Sequence, residues 1–472
     1  LARGNNGSGR GTLGGRGTGR GNALGAREIA YRVLSRVEGR GAFAEKVLDN
    51  YLSRHGVLTD SRDRALATEL VYGVLRKRGL LDRALGLHLA VPPRRLDKEV
   101  ARVLRLAAYQ VLFLDKIPDR AAVDEAVRLA KRYCARGSDS LVNAVLRALC
   151  KGKESPSLQA ILARPGRCGE PEWLARLWRE ELGADLAEAL LENITHAPET
   201  ILRVNTLKVT RHEFVEAMRA RGLEIEPLPE LSEAVRVRRA ADMWAGAAGD
   251  LFRMGCYVQQ DVASQLITWI LDPRPGQKVL DCCAAPGIKT THIGQRMGAT
   301  GLLLALDRHA GRLRELVGLC RRMGVSNVVP ICAEAATGHA LLPIRSCVAF
   351  ERILADVPCS GLGVLKRAPE RKWRAAPDFG ALASLQYRIL EACAAHLERG
   401  GILVYSTCTV AREENERVIE RFLSEREDFV LEDAAAFVPP AFRGLVCGRG
   451  MFRSWSMPGP WDFFFAARLR KV

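Results

Sequence analysis

Residues 278–290 read KVLDCCAAPGIKT: a short apolar run stops at Asp281, and Cys282-Cys283-Ala284-Ala285-Pro286-Gly287 then lead into Ile288-Lys289-Thr290. An apolar run of that length bounded by turn residues reads as a buried strand. Small residues followed by the free N–H groups of a helix start let a ligand approach the backbone. The loop is neither the G-x-G-x-x-G of dinucleotide folds nor a phosphate-binding G-x-x-x-x-G-K-[ST] loop. Downstream the pattern repeats: LLLALD at 302–307, NVVPIC at 327–332, RILAD at 352–356, GILVYS at 401–406 and FFFAARL at 463–469, with helical patterns between. Apolar strands separated by helices predict an α/β fold with a parallel, doubly wound sheet over 257–472. Ligands on such a sheet sit at the carboxyl ends of its strands.

Upstream the period changes. Over 27–150, Ile29, Val33, Leu34 and Val37 share one helical face, as do Val103, Leu106, Ala107, Val111 and Leu114. Val123, Ala126, Val127 and Ala130 form another stripe, and Leu141, Val142, Val145, Leu146 and Leu149 a fourth. Pro92-Pro93 and Pro118 divide the run, which predicts an all-α bundle of five or more helices. The triplet Arg76-Lys77-Arg78 is either a solvated helix end or an RNA contact, and these residues alone do not choose. Residues 151–256 begin with a linker, KGKESPS at 151–157. Helical segments over Trp173 to Leu191 and a strand-like Ile201 to Val204 follow, which predicts a small α/β connector. Residues 1–26 are rich in Gly and Arg and contain no acid, so a disordered tail is expected there. They lack the apolar core of a secretory signal.

The bulk numbers restrict the class. A chain of 472 residues, 48% hydrophobic and 26% charged, has material for two or three packed domains. No apolar run approaches the roughly 18–20 residues of a membrane helix, so a soluble protein without a membrane partner is expected. Its 71 basic against 54 acidic residues leave a net charge of +17, which favours a polyanionic partner over a merely solubilising surface. The 13 cysteines are scattered and form no C-x-x-C pair. That argues against a disulfide framework or a zinc site and for a reducing cytoplasm. The 8 histidines show no ligand spacing, so no metal is expected.

Chemistry-bearing residues cluster at the strand ends. The second strand ends at Asp307, where a carboxylate can accept both hydroxyls of a ribose or simply cap a helix. The fourth ends in Asp356-Val357-Pro358-Cys359-Ser360-Gly361-Leu362-Gly363, and the fifth in Tyr405-Ser406-Thr407-Cys408-Thr409. D-x-CAAPG-x-KT, D-x-PCSG-x-G and S-TC-T in this order resemble the RNA 5-methylcytosine methyltransferases. The N-terminal stretches Arg64 to Arg76, Leu106 to Pro118 and Val142 to Arg147 resemble the antiterminator NusB. Together they resemble the Sun, or Fmu, branch of that family, from about residue 27 to the end.

The resemblance implies a Rossmann-like methyltransferase domain preceded by a NusB-like RNA-binding bundle. It also implies S-adenosylmethionine as cofactor and 16S ribosomal RNA of the small subunit as partner, naked or in an assembling subunit; a monomer is expected. Cytosine C5 is a poor nucleophile, and a thiolate adding to C6 makes it an enamine-like carbon that can take a methyl group. By resemblance Cys408 is the nucleophile, Cys359 assists proton removal and release, and Asp356 hydrogen-bonds the cytosine edge. The cofactor set carried over is Cys283, Ala284, Ala285, Pro286, Gly287, Ile288, Lys289, Asp307, Glu334 and Asp356.

The sequence departs from the family pattern at three points. Ile288 stands where the family has a second Gly, so either its backbone is ordinary or the loop shifts. Glu334 stands for an Asp after the third strand, and Phe463 for the Gly of D-G-F-F. Lys366, Arg367, Arg371, Lys372 and Arg374 surround Trp373; they form either a phosphate grip with a stacking platform or a charged helix around a buried Trp. Transfer RNA as substrate, a DNA cytosine methyltransferase and a binding protein without turnover are the alternative readings.

Overall fold

The computed structural model describes residues 24–53, 60–164, 166, 169–238, 246–335, 348–457 and 459–472. The Gly/Arg-rich stretch lies outside the described residues as far as position 23. Leu24 already packs against the bundle core, and the first helix starts at Ala26.

Six helices form the N-terminal bundle: α1 (Ala26–Arg40), α2 (Ala44–Leu52), α3 (Ser61–Gly86), α4 (Lys98–Phe113), α5 (Asp119–Tyr133) and α6 (Ser138–Lys151). Asp60 and Asp97 cap α3 and α4 by accepting N–H groups of the first turn. The apolar stripes meet in one core that includes Ile29, Leu34, Val103, Leu106, Val145 and Leu146. Leu141 departs from its expected stripe and is 42% exposed, because the buried face of α6 is already supplied by Val142, Val145, Leu146 and Leu149. Three further helices follow, α7 (Pro156–Leu162), α8 (Glu172–Leu182) and α9 (Ala184–Asn193). Gly183, at φ 81°, separates the last two, which occupy the helical segments expected over Trp173 to Leu191.

The connector is an antiparallel sheet in the order β2-β3-β1-β4, built from β1 (Thr200–Val204), β2 (Ile225–Pro227), β3 (Ala234–Val237) and β4 (Tyr257–Gln259). Helices α10 (Arg211–Arg219) and α11 (Gly246–Arg253) accompany it. Tyr257–Gln259 stands on the far side of the sequence's change of period, yet it pairs with β1 of the connector.

The C-terminal sheet has β5 (Lys278–Asp281), β6 (Leu302–Asp307), β7 (Val328–Cys332), β8 (Phe350–Asp356) and β9 (Leu397–Thr407) side by side and parallel, in the order 9-8-5-6-7. Helices α12 (Val262–Leu271), α13 (Ile288–Arg296), α14 (Ala310–Met323), α15 (Phe379–Ala394) and α16 (Glu416–Glu425) belong to this part of the chain. Beyond β9 the sheet turns antiparallel, a correction to the all-parallel expectation. The short strands β10 (Phe429–Glu432), β11 (Val446–Cys447) and β12 (Met451–Arg453) precede β13 (Phe465–Lys471), which pairs antiparallel with β9, Phe465 opposite Thr407. The apolar run at 463–469 does not reveal this direction, because a strand buried on both faces looks the same either way. Strand order reverses between β5 and β8, and such a switch point opens a crevice at the strands' carboxyl ends.

The basic stretch at 366–374 lies at the seam between bundle and sheet. Lys372 is fully buried, pairs with Glu170 at 2.6 Å and donates to the Arg76 carbonyl at 2.9 Å. Trp373 Nε1 donates to the Leu75 carbonyl, and the Arg78 guanidinium lies 4.9 Å from its ring centre. Arg76 is itself buried and donates to the Lys366 carbonyl. Arg76 and Arg78 are therefore not a solvated helix end: in mid-helix they contact the 366–374 stretch of the catalytic domain. No helix among the described residues is long and apolar enough to cross a membrane.

Candidate active site

A cavity of about 390 Å³ opens at the carboxyl ends of β5, β6, β8 and β9. Asp307, Asp356, Cys359 and Cys408 all line it, brought from the ends of three strands. The two thiols stand 3.3 Å apart, sulfur to sulfur, and the Cys408 N–H also points at Cys359 Sγ, at 3.4 Å. Two thiols this close disfavour each other's second ionisation. The hydrogen bond from Cys359 holds Cys408 below the ordinary thiol value. Burial and the Asp356 charge oppose that shift, while Arg371 and Lys289 favour it. The same hydrogen bond, reinforced by burial and by Glu414, pushes Cys359 well above its usual value. The contact thus drives the two thiols in opposite directions, Cys408 toward the thiolate and Cys359 toward the thiol.

Asp356, at the end of β8, receives Lys289 Nζ on one oxygen and the Ser406 hydroxyl on the other, both at 2.7 Å. Burial lowers the affinity of Lys289 for its proton, but the Asp356 charge and hydrogen bond outweigh it and leave the ammonium above its usual value. Asp307 is buried, and its two oxygens accept the N–H groups of Ala285 and His309. A carboxylate fixed this way at a strand end, with lone pairs still free, fits the ribose hydroxyls of an adenosyl group. Glu334 is half exposed at the rim and faces Arg308 at 3.7 Å.

The cofactor loop divides in two. Cys283, Ala285 and Pro286 face the cavity with Asp307, Glu334 and Asp356; Ala284, Gly287, Ile288 and Lys289 do not. Ala284 turns into the core around Leu313 and Leu316. Gly287 is the position that needs a left-handed backbone, at φ 104°, and a Cβ there would come within 2.8 Å of Leu316. Ile288 is the first residue of α13 and takes ordinary helical geometry, which settles the apparent conflict with a β-branched residue. Lys289 serves Asp356 from behind the cavity wall.

Several residues of the site were not singled out by sequence. Glu414, fully buried in the charged run Ala411 to Glu416, accepts the Ser360 N–H and the Gln386 amide, and the Ser360 hydroxyl as well. It ties the Pro-Cys loop to the segment after Cys408. Asp281 at the end of β5 is fully buried, and burial raises its carboxyl to about 7. Arg203, from β1 of the connector, is buried and donates to the Ile288 carbonyl and to Thr291, which fixes the start of α13. A run such as AREENE reads as solvated surface, and no local signal separates Glu414 from its neighbours.

Known proteins agree with this architecture. The family model for the 16S rRNA methyltransferases RsmB/F matches residues 268–470, the NusB family model matches 24–151, and the RsmF/B-like ferredoxin-like domain matches 170–244. The probable ribosomal RNA small subunit methyltransferase B of Bacillus subtilis (strain 168) is 36% identical over 408 residues, 85% of this chain and 89% of its own. The protein of the same description from Synechocystis sp. (strain ATCC 27184 / PCC 6803 / Kazusa) is 33% identical over 95% of this chain and 100% of its own. A solved methyltransferase homolog protein from Pyrococcus horikoshii superposes with a TM-score of 0.54 at 28% identity, covering 67% of this chain and 100% of that one. Fold and cleft define an S-adenosylmethionine-dependent methyltransferase. With a NusB domain ahead of that catalytic sheet and relatives matched along most of its length, the chain belongs to the ribosomal RNA small subunit methyltransferase B family.

Proposed function

We propose that the protein methylates cytosine C5 in small-subunit (16S) ribosomal RNA through a covalent bond between Cys408 and cytosine C6. The observation that carries this reading is the thiol pair, 3.3 Å apart in the cavity and driven in opposite directions. The Cys408 thiolate adds to C6 and pushes electron density to C5 and N3. Asp356, oriented by Lys289 and Ser406, accepts a hydrogen bond from the cytosine amino edge and holds the base in register. The cofactor, when bound, would supply an electrophilic methyl group to C5, its S–CH3 bond breaking to leave the neutral thioether S-adenosylhomocysteine. Once Cys408 is a neutral thioether, the main influence that kept Cys359 protonated is gone. Cys359 then gives its proton to solvent, its thiolate removes the C5 proton, and the electrons of that C–H bond expel the Cys408 thiolate and restore the aromatic ring.

Cys283, Ala285, Pro286, Asp307 and Glu334 are assigned to the cofactor, with Gly287, Ile288 and Lys289 supporting the loop from behind. The target base must be unpaired or flipped, a cost of a few kcal/mol unless it lies in a loop. The assigned units are the expected bundle over 27–150, connector over 151–256 and catalytic domain over 257–472, with Ala26 and Lys151 joining the bundle and Tyr257–Gln259 the connector. The 11 described cysteines are all free, which supports a reducing compartment such as the cytoplasm.

The test uses small-subunit RNA from a strain lacking the protein, labelled cofactor, and three proteins: wild type, Cys408→Ala and Cys359→Ala. Label on cytosine C5 is expected with wild type, none with Cys408→Ala, and a trapped protein–RNA adduct with Cys359→Ala. Label that survives Cys408→Ala removes the covalent mechanism. Label on transfer RNA alone removes the ribosomal assignment.

A further inference from the structure

Arg371 also lines the cavity and has no part in the scheme above. It sits in the turn Pro369–Trp373, after the Pro-Cys loop. Its Nη1 donates to the Ser360 carbonyl at 3.1 Å, one residue from Cys359. The guanidinium lies flat against Gly361, where a Cβ would come within 2.6 Å of Nη1 and 2.9 Å of Cζ, so only glycine permits this approach. Arg371 Nε is buried and has no hydrogen-bond partner among the described residues. On the bundle side Phe43, just ahead of α2 and 40% exposed, presents its ring 5.3 Å from the Arg371 guanidinium and 4.5 Å from that of Arg374. Arg374 in turn donates to the Gly41 carbonyl, and Glu370 accepts the Ala44 N–H. The turn carrying Arg371 is therefore held from both sides, by the catalytic loop and by the bundle.

We propose that Arg371 is a positioning residue that keeps the Cys408 sulfur anionic, its guanidinium fixed over the Pro-Cys loop by Phe43 of the helical bundle. The groups around Cys408 are Cys359 and Asp356 at the end of β8, Lys289 on α13, Arg371, and Glu414 acting through Ser360. Asp356 disfavours the thiolate, and Lys289 is largely neutralised by its contact with Asp356. Glu370, the acid next to Arg371, is buried and turned to the Ala44 N–H. Among the described residues Arg371 makes no salt bridge, and its charge stands in the cavity that holds both thiols. A cation in a partly desolvated site acts strongly on an anion nearby. The bundle then has a task besides any contact with RNA: it completes the electrostatics of the thiol site.

The inference rests on Cys408 as the nucleophile, and its test requires no RNA. The full-length protein is alkylated with iodoacetamide from pH 6 to pH 9, and modification of the Cys408 peptide is timed by mass spectrometry. Arg371→Gln removes the charge and leaves an amide to reach Ser360. It is expected to slow Cys408 alkylation at pH 7 by about five- to tenfold and to displace the profile to higher pH by about one unit. Arg371→Lys is expected to restore most of the rate. Phe43→Leu, remote from the thiols and in the other domain, is expected to slow it about two- to threefold. A wild-type profile in Arg371→Gln overturns the proposal. So does an Arg371→Lys variant as slow as Gln, because the charge is then irrelevant. If the profile shifts as expected but the wild type transfers no methyl to ribosomal RNA, the substrate reading falls and this inference stands.

Discussion

Replacing Lys372 by Met tests how the bundle is fastened to the catalytic domain. Lys372 and Glu170 are buried to within 1% of complete and lie 2.6 Å apart. Burial pulls Lys372 down and pushes Glu170 up, and in each case it outweighs the partner's charge. A buried pair of this kind loses much of its Coulomb gain to desolvation, so it is expected to hold the turn at 369–373 in register with the connector, and through the Arg76 carbonyl with the bundle, while adding little net stability. Removing Lys372 alone leaves an uncompensated buried carboxylate and frees the Arg76 carbonyl of a donor, so Lys372→Met is expected to cost about 3–5 kcal/mol. Combining it with Glu170→Gln removes the stranded charge and is expected to recover most of that loss, to within about 1 kcal/mol of the wild type. Urea unfolding of the wild type, both single variants and the double variant closes the cycle. A single-variant cost below about 1 kcal/mol, or a double variant as unstable as the sum of the two, would refute the argument.

Three further expectations come from particular side chains. Burial, with Arg203 and Arg296 nearby, lowers His292 from 6.5 to about 4. The unfolded chain therefore takes up the proton first as pH falls, so the stabilisation is complete above pH 6.5 and is lost toward pH 4, about 3 kcal/mol in all. His292→Gln should flatten the difference between urea midpoints at pH 7.5 and pH 5, and an unchanged difference would contradict this. Gly287→Ala should cost about 2 kcal/mol or more in stability, from its left-handed backbone and the clash with Leu316, and weaken S-adenosylmethionine binding by calorimetry; Ile288→Ala, at a helical position, should leave that affinity within about threefold of the wild type. Glu414→Ala strands the Ser360 N–H and should cost about 3 kcal/mol by denaturant unfolding, together with most of the methyl transfer.

Much of the fold was legible because its signals are local. The apolar stripes of α1 to α6 and the short runs of β5 to β9 follow the 3.6 and continuous patterns that burial imposes on helices and central strands. The strand-end residues Asp307, Asp356, Cys359 and Cys408 were found for the same reason, since each ends a run whose direction is known. The basic stretch around Trp373 was ambiguous because a charge buried against a carboxylate and a charge left in water have the same sequence signature. Glu414 was missed for the same reason, being one acid in a run of acids.

The sequence by itself determined which residues stand at strand ends, and with them the class of chemistry: a thiol pair, an acid and a small-residue loop. Only the tertiary structure decided how those groups act on one another. Whether Cys408 is the ionised sulfur depends on the 3.3 Å contact with Cys359 and on the charges of Lys289 and Arg371, which come from different parts of the chain. The same holds for the antiparallel β13, the seam at Lys372 and the inward turn of Glu414. Electrostatic and packing energies depend on distance in space, and separations of tens to hundreds of residues along the chain leave those distances unspecified until it folds.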